Sequence, residues 1–282
     1  MSMKKKGTLL IAVILFGAMG LAQAQEGELH GVIDLTYQSK YVWRGFDIYG
    51  DKSAIQPSID LDLYGTGFGI NIMGHRANSD KYENGERWDY TLYYCNNVFE
   101  GETYATNYRV GWVYFNYPDN SSHSQSNPAL TNNSLDLQEI HTVLSWPKIC
   151  PAGIVPSYCI VKLWPSNSGT VVGTRSPSSG TASGFAHIFM LDYGLTVPGL
   201  LPETPEQVLN LHTELVYNDG VGPNGANVDH DWSNVVFGVS TDFALTDDLS
   251  FTPALYHQIT MDKSVNPDKD ETWVGLSIKY KF

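Results

Sequence analysis

The sequence predicts an all-β chain: an antiparallel transmembrane β-barrel of about 12 strands behind an N-terminal signal peptide. Three observations carry that expectation. The chain opens with an export signal, period-two alternation recurs from end to end with almost no helical periodicity, and the last alternating segment finishes on Phe282. Alternation matters because successive strand side chains face opposite ways, so one strand separates two environments.

The export signal comes first. Lys4, Lys5 and Lys6 form a positive n-region, Thr8 to Leu21 an apolar h-region, and Ala22-Gln23-Ala24 a small-x-small cleavage site. Cleavage after Ala24 gives a division into 1–24, signal peptide, and 25–282, barrel. No later segment reaches the ~20 apolar residues that a membrane helix needs, so any crossing is made by strands. Losing 1–24 removes three of the 17 basic residues and none of the 30 acidic ones, leaving a net charge of about −16. Nucleic acid is therefore not expected as a partner, because phosphate binding needs a basic footprint.

The strands follow in order. Leu29 to Tyr37 sets Leu29, Gly31, Ile33, Leu35 and Tyr37 against His30, Val32, Asp34 and Thr36, and in Ile55 to Leu63 the residues Ile59, Leu61 and Leu63 alternate with Ser58, Asp60 and Asp62. Then come Phe68 to Met73, Arg87 to Tyr94, Tyr108 to Phe115, Leu137 to Trp146, Ser157 to Trp164, Phe185 to Tyr193, Val208 to Tyr217, Ser233 to Phe243 and Leu249 to Ile259. The terminal ETWVGLSIKYKF is the twelfth, with Val274, Leu276, Ile278, Tyr280 and Phe282 on its outer side. That apolar strand ending on Phe282, with Tyr280 two residues before, resembles the signal by which barrel assembly machinery recognises outer-membrane proteins.

Connections alternate in character. The odd ones are long and polar, Gly45 to Ala54 first among them, while the even ones include the tight Gly65-Thr66-Gly67 and the short Ala244 to Asp248. Asn96 to Asn107, Pro147 to Pro156 and Gly194 to Gln207 are even connections of greater length than that pattern asks for. Long loops at one end and turns at the other, with an even strand number, are the arrangement of a bacterial outer-membrane barrel. An exported soluble β-sandwich would need a second sheet to cover the outer residues.

The stretch from Asp34 to Asn71 resembles the opening of a family of bacterial outer-membrane proteins known as Gcw_chp, which includes TorF-type proteins. The shared features are an S-x-Y-x-W/F-R-G segment at Ser39 to Gly45, an A-I-Q-x-S-I-D segment at Ala54 to Asp60, and a hairpin into a glycine-rich strand. The likeness is close over about forty residues, and the cysteine- and proline-bearing region Pro147 to Pro165 has no place in it. It implies an outer-membrane barrel, with no settled activity and no catalytic residues.

Polar strand faces taken as lumenal nominate Asp34, Lys40, Arg44, Asp60, Asp62, Asp89, Arg109, Glu139, His141, Asn210, His212 and Glu214. Such groups either select ions or pair across the tube and stiffen it. Arg44 is expected to pair with Asp60 or Asp62. His141 with Glu139, and His212 with Glu214, share strand faces, but no third ligand completes a metal site, so no metal and no cofactor is expected. Cys150 and Cys159 flank a turn-like insert and are candidates for a disulfide, with Cys95 left over. An enzyme is not expected: none of the eight histidines has serine at its second position, as outer-membrane acyl hydrolases do, and GxSxG is absent. The expectation is a passive channel for small cationic or neutral solutes, set in outer-membrane lipid. A closed barrel with a structural or surface-interaction role is the alternative.

Overall fold

The computed structural model describes residues 28–82, 85–118, 136–166, 184–201, 204–220 and 228–282; the signal peptide 1–24 lies outside them. Twelve long strands follow one another: β1 His30–Gln38, β2 Ala54–Asp62, β3 Phe68–Ala77, β4 Arg87–Val98, β5 Thr106–Asn116 and β6 Leu137–Ser145. They continue as β7 Val155–Pro165, β8 Phe185–Pro198, β9 Glu206–Asp219, β10 His230–Ser240, β11 Leu249–Thr260 and β12 Glu271–Lys281. Every neighbour pairing is antiparallel, and β1 pairs with β12 in the register Ile33↔Tyr280 and Leu35↔Ile278, so the sheet closes on itself. Closure leaves no free strand edge, which is what a hydrocarbon surrounding requires of a sheet.

The outer face explains the alternation. Leu35 is 51% exposed, Leu92 49%, Ile140 48% and Phe237 47%, and Val274, Leu276 and Ile278 are also exposed, whereas the residues flanking each of them on the same strand are buried or half-buried. Aromatic side chains sit above and below this apolar belt: Trp88, Trp112, Phe185 and Trp232 toward the loop end, and Tyr64, Phe68, Tyr280 and Phe282 toward the turn end. An aliphatic band between two aromatic girdles is the surface of a membrane-spanning barrel. The chain is therefore a transmembrane barrel of the outer-membrane type.

Four sequence expectations need correction. The long even connections shrink, because β8 runs on through Gly194 to Pro198 and β9 begins at Glu206, with Gly194 paired to Asn210 inside the ladder. The stretch after β1 does not extend into solvent: it turns inward, with a small hairpin of Val42–Trp43 against Phe46–Asp47. Finally, the inner face is not polar throughout. At the loop end β5 to β9 line the lumen with Val113, Phe115, Leu137, Cys159, Val161, Leu163, Ala186, Ile188 and Val216. Cys159 belongs to that apolar wall while Cys150 sits in the turn before β7, and all three cysteines are free, so the bridge the spacing allowed is not formed.

Candidate functional site

The loop-end half of the lumen is filled by the inturned segment 39–53. Its apolar side chains seek the apolar wall: Trp43 packs against that cluster with its ring 5.6 Å from Phe115. Tyr49 is 0% exposed, and its hydroxyl donates to the carbonyls of His75 (2.9 Å) and Gly85 (3.2 Å). Tyr41 stacks on His75 at 4.8 Å. At the tip, Gly45 has φ +92, and a Cβ there would lie 2.3 Å from Asn234 Oδ1, so only glycine lets the backbone approach this wall. Its carbonyl accepts from Gln258 Nε2 (2.7 Å) and Asn266 Nδ2 (2.9 Å).

Charge fixes the hairpin as well. Arg44 Nη2 lies 2.7 Å from Glu139 Oε2 on β6, and Glu139 Oε1 is 3.0 Å from His141 Nδ1. This corrects the expected pairing of Arg44 with Asp60 or Asp62, which lie nearer the opposite end of β2. The Trp43 ring lies between two guanidinium groups, Arg44 at 4.9 Å and Arg87 at 4.2 Å from its centroid. Arg87, on β4, donates to the Tyr41 hydroxyl (2.9 Å) and pairs with Asp89 (2.7 Å), which also meets His75 Nε2 at 2.9 Å. Gln56 completes this chain at 2.8 Å from His75 Nδ1. Cationic stacking and buried ion pairs of this kind hold a segment far better than its own short hairpin does.

At the rim, the Lys40 ammonium bonds Asp51 and Glu271, and Lys269 reaches Asp51 at 3.0 Å. Asp47, Asp51 and Glu271 bring carboxylate oxygens within 4.8 Å of one another, the only such grouping among the described residues, but two ammonium groups already pair with Asp51 and Glu271. Hydrogen bonding to Asp51, then to Glu271, raises the Lys40 pKa to about 12; Lys40, then Lys269, lowers that of Asp51 to about 2. The raised lysine stabilises the rim at every pH below its unfolded value near 10.4, and that contribution is lost as pH rises through about 12. The lowered aspartate contributes above its unfolded value near 3.9, and its share is lost as pH falls through about 2. The rim contacts should therefore be flat between roughly pH 5 and 9, while the more exposed pair of Lys269 with Asp51 weakens with salt. Unfolding midpoints of the refolded barrel across that range check this, and a transition near neutrality would assign the rim's stabilising charge elsewhere.

The turn-end half is a vestibule with two cavities. One, of about 510 Å³, is lined by Asp62, Cys95, Asn97, Asn107, Arg109 and Ser145, among others. The other, of about 500 Å³, is lined by Asp192, Asn210, His212, Ser240 and Tyr256, among others. Bulky rings in this region lie over glycines of the neighbouring strand: Tyr93 over Gly69, His141 over Gly111, Tyr256 over Gly238. Most predicted lumenal groups are accounted for here. Asp34 accepts from Thr36 and Ser277 (both 2.6 Å), and Asp60 from the Tyr93 hydroxyl (2.6 Å) and Asn71 (3.1 Å). Asp62 accepts the Gly65 amide at 2.8 Å, capping the turn. His212 meets Asp192 at 2.6 Å rather than Glu214, which also lies on the inner face of β9. Arg87, His75, Gln56, Glu271 and the aromatic residues of the hairpin escaped the sequence reading. The S-x-Y-x-W-R-G motif was the signal for the hairpin, since it concentrates aromatic side chains where a solvent loop has none.

Neither a protein-family model nor a curated protein matches the chain. Among solved structures it is similar to the NanC porin, with a TM-score of 0.52, 10% identity, 89% of this chain covered and 100% of that one. It is also similar to the KdgM porin in complex with disordered oligogalacturonate, with a TM-score of 0.50, 10% identity and coverage of 89% and 99%. The shared fold is that of an outer-membrane porin barrel.

Proposed function

We propose that this protein is a passive outer-membrane channel for small cationic or neutral solutes, stoppered at its outer mouth by the β1–β2 hairpin. The observation that carries this reading is the polar two-cavity vestibule beneath a hairpin seated on a wall it satisfies poorly. Gln56 Oε1, Gln258 Oε1 and both side-chain polar atoms of Asn234 are buried there without a hydrogen-bond partner. Each such group costs about 1–3 kcal/mol, a penalty that water or solute in an opened lumen relieves. The resemblance of Asp34 to Asn71 to the Gcw_chp family accords with this reading, the in-folded hairpin being part of the segment that carries it.

Cation preference follows from the lumenal inventory: Asp34, Asp60, Asp62, Asp192 and Glu214 are opposed in the vestibule by Arg109 and Lys279. The test is conductance of the purified protein in planar bilayers under a salt gradient. Discrete channels with a reversal potential favouring the cation are expected, and the preference should weaken in the Asp60→Asn, Asp62→Asn double variant. Anion preference would remove these carboxylates from the path. A complete lack of channels, even with the hairpin released, supports the second reading, a closed barrel whose loops carry its role; the close packing of Tyr41, Trp43 and Tyr49 favours it.

A further inference from the structure

We propose that the Arg109 cavity is a binding subsite for the carboxylate of a small zwitterionic solute; this deepens the channel reading by naming a solute class. The guanidinium of Arg109 lies flat on the Tyr93 ring, 3.7 Å from its centroid. Tyr93 is itself buried, lying over Gly69 and donating through its hydroxyl to Asp60 at 2.6 Å. Stacking covers one face of the guanidinium and leaves its N–H edge for a planar oxyanion, the geometry in which arginine grips a carboxylate with two parallel bonds.

Among the described residues nothing pairs with that edge. Among the described residues no carboxylate pairs with Arg109, and its Nε is buried without a partner. Asp60 is engaged by Tyr93 and Asn71, and Asp62 by the Gly65 amide. The other inward arginines, Arg44 and Arg87, are both consumed in ion pairs. Asn97, Asn107 and Ser145 supply neutral hydrogen-bonding groups around the same cavity, whose volume of about 510 Å³ suits a solute of amino-acid size. A bare anion would meet the acidic vestibule unfavourably. A zwitterion satisfies both fields, its carboxylate on Arg109 and its ammonium toward Asp62 on the rim of the cavity.

Cys95 lines this cavity and reports on its occupancy without any engineered label. The full-length protein, refolded in detergent and shown to be heat-modifiable, is treated with methyl methanethiosulfonate, and modification of the Cys95 peptide is followed by mass spectrometry. L-lysine should slow that reaction in a saturable way. L-lysine methyl ester, which lacks the carboxylate, should not, and acetate should act only at much higher concentration. Arg109→Gln should abolish protection, and Arg109→Lys, which keeps the charge but loses the fork and the stack, should leave only a small part of it. Protection by the ester equal to that by lysine, protection that survives in Arg109→Gln, or acetate as effective as lysine would each overturn the proposal. The assay needs no transport, so failure of the channel reading, seen as absent conductance, remains distinguishable from failure of the subsite.

Discussion

Replacing Glu139 by glutamine should unseat the hairpin and raise the open fraction of the proposed channel. The Glu139 side chain is 3% exposed and faces Arg44 at 2.7 Å, so the substitution strands a guanidinium inside the lumen. Breaking one partner of a buried pair costs about 3–5 kcal/mol, and about 1.4 kcal/mol is tenfold in an equilibrium, so the unseated hairpin gains on the order of a hundredfold or more. That energy opposes the seated state alone, because Arg44 regains water when the hairpin swings out. Gly45→Ala reaches the same end by another route. It forces a side chain into positive φ and against Asn234, which is 0% exposed and has no room to yield. Single-channel recording of both variants reads the open fraction. If both stay heat-modifiable and neither opens more often than the parent, the hairpin is no gate.

Deleting Phe282 should cause the largest loss of assembled protein of any single change in the strands. Phe282 exchanges both backbone hydrogen bonds with Gly31, its N donating at 3.0 Å and its carbonyl accepting at 2.9 Å. Its ring covers Gly31, where a Cβ would sit 2.6 Å from Cζ, and stacks on Tyr280 with centroids 6.4 Å apart. These contacts lie at the β12–β1 seam, the one pairing that closes the sheet. Without them the last rung is unpaired beside lipid, where no water compensates the exposed backbone groups. Phe282→Tyr keeps the rung and the ring and should retain most of the heat-modifiable fraction. An equal loss in both variants would show that the ring edge, rather than the rung, is what assembly reads.

The wall of this barrel is legible in the sequence because its physics is local. Ile33, Leu35 and Tyr37 against Asp34 and Thr36 declare a two-sided strand without reference to anything distant. Where locality fails, so does the reading. Gly194, Pro198 and Pro205 have the composition of a turn, yet the ladder continues through Gly194 because Asn210 pairs with it across β9. Arg44 looks free to choose between Asp60 and Asp62, the acids on the polar face of the next strand, but the carboxylate that meets it stands on β6. The inward apolar residues of β5 to β9 obey the alternation and still mislead, since nothing in a single strand says that a hairpin from elsewhere will cover them.

The seating of that hairpin also has a consequence for the order of events during biogenesis. The carbonyl of Gly45 is gripped by Gln258 and Asn266, which lie 213 and 221 residues further along the chain, while Arg44 and Trp43 need β6 and the wall of β5 to β9. Contacts so remote in sequence form late, because long loops must close before they bring any return. The segment is among the first to be made, and its docking surface is incomplete until almost the last strand is laid down. It must wait at the mouth of an unfinished cylinder and enter only when the circumference is complete. A half-built wall therefore remains unplugged, and the shut conformation is available only to molecules that have finished folding.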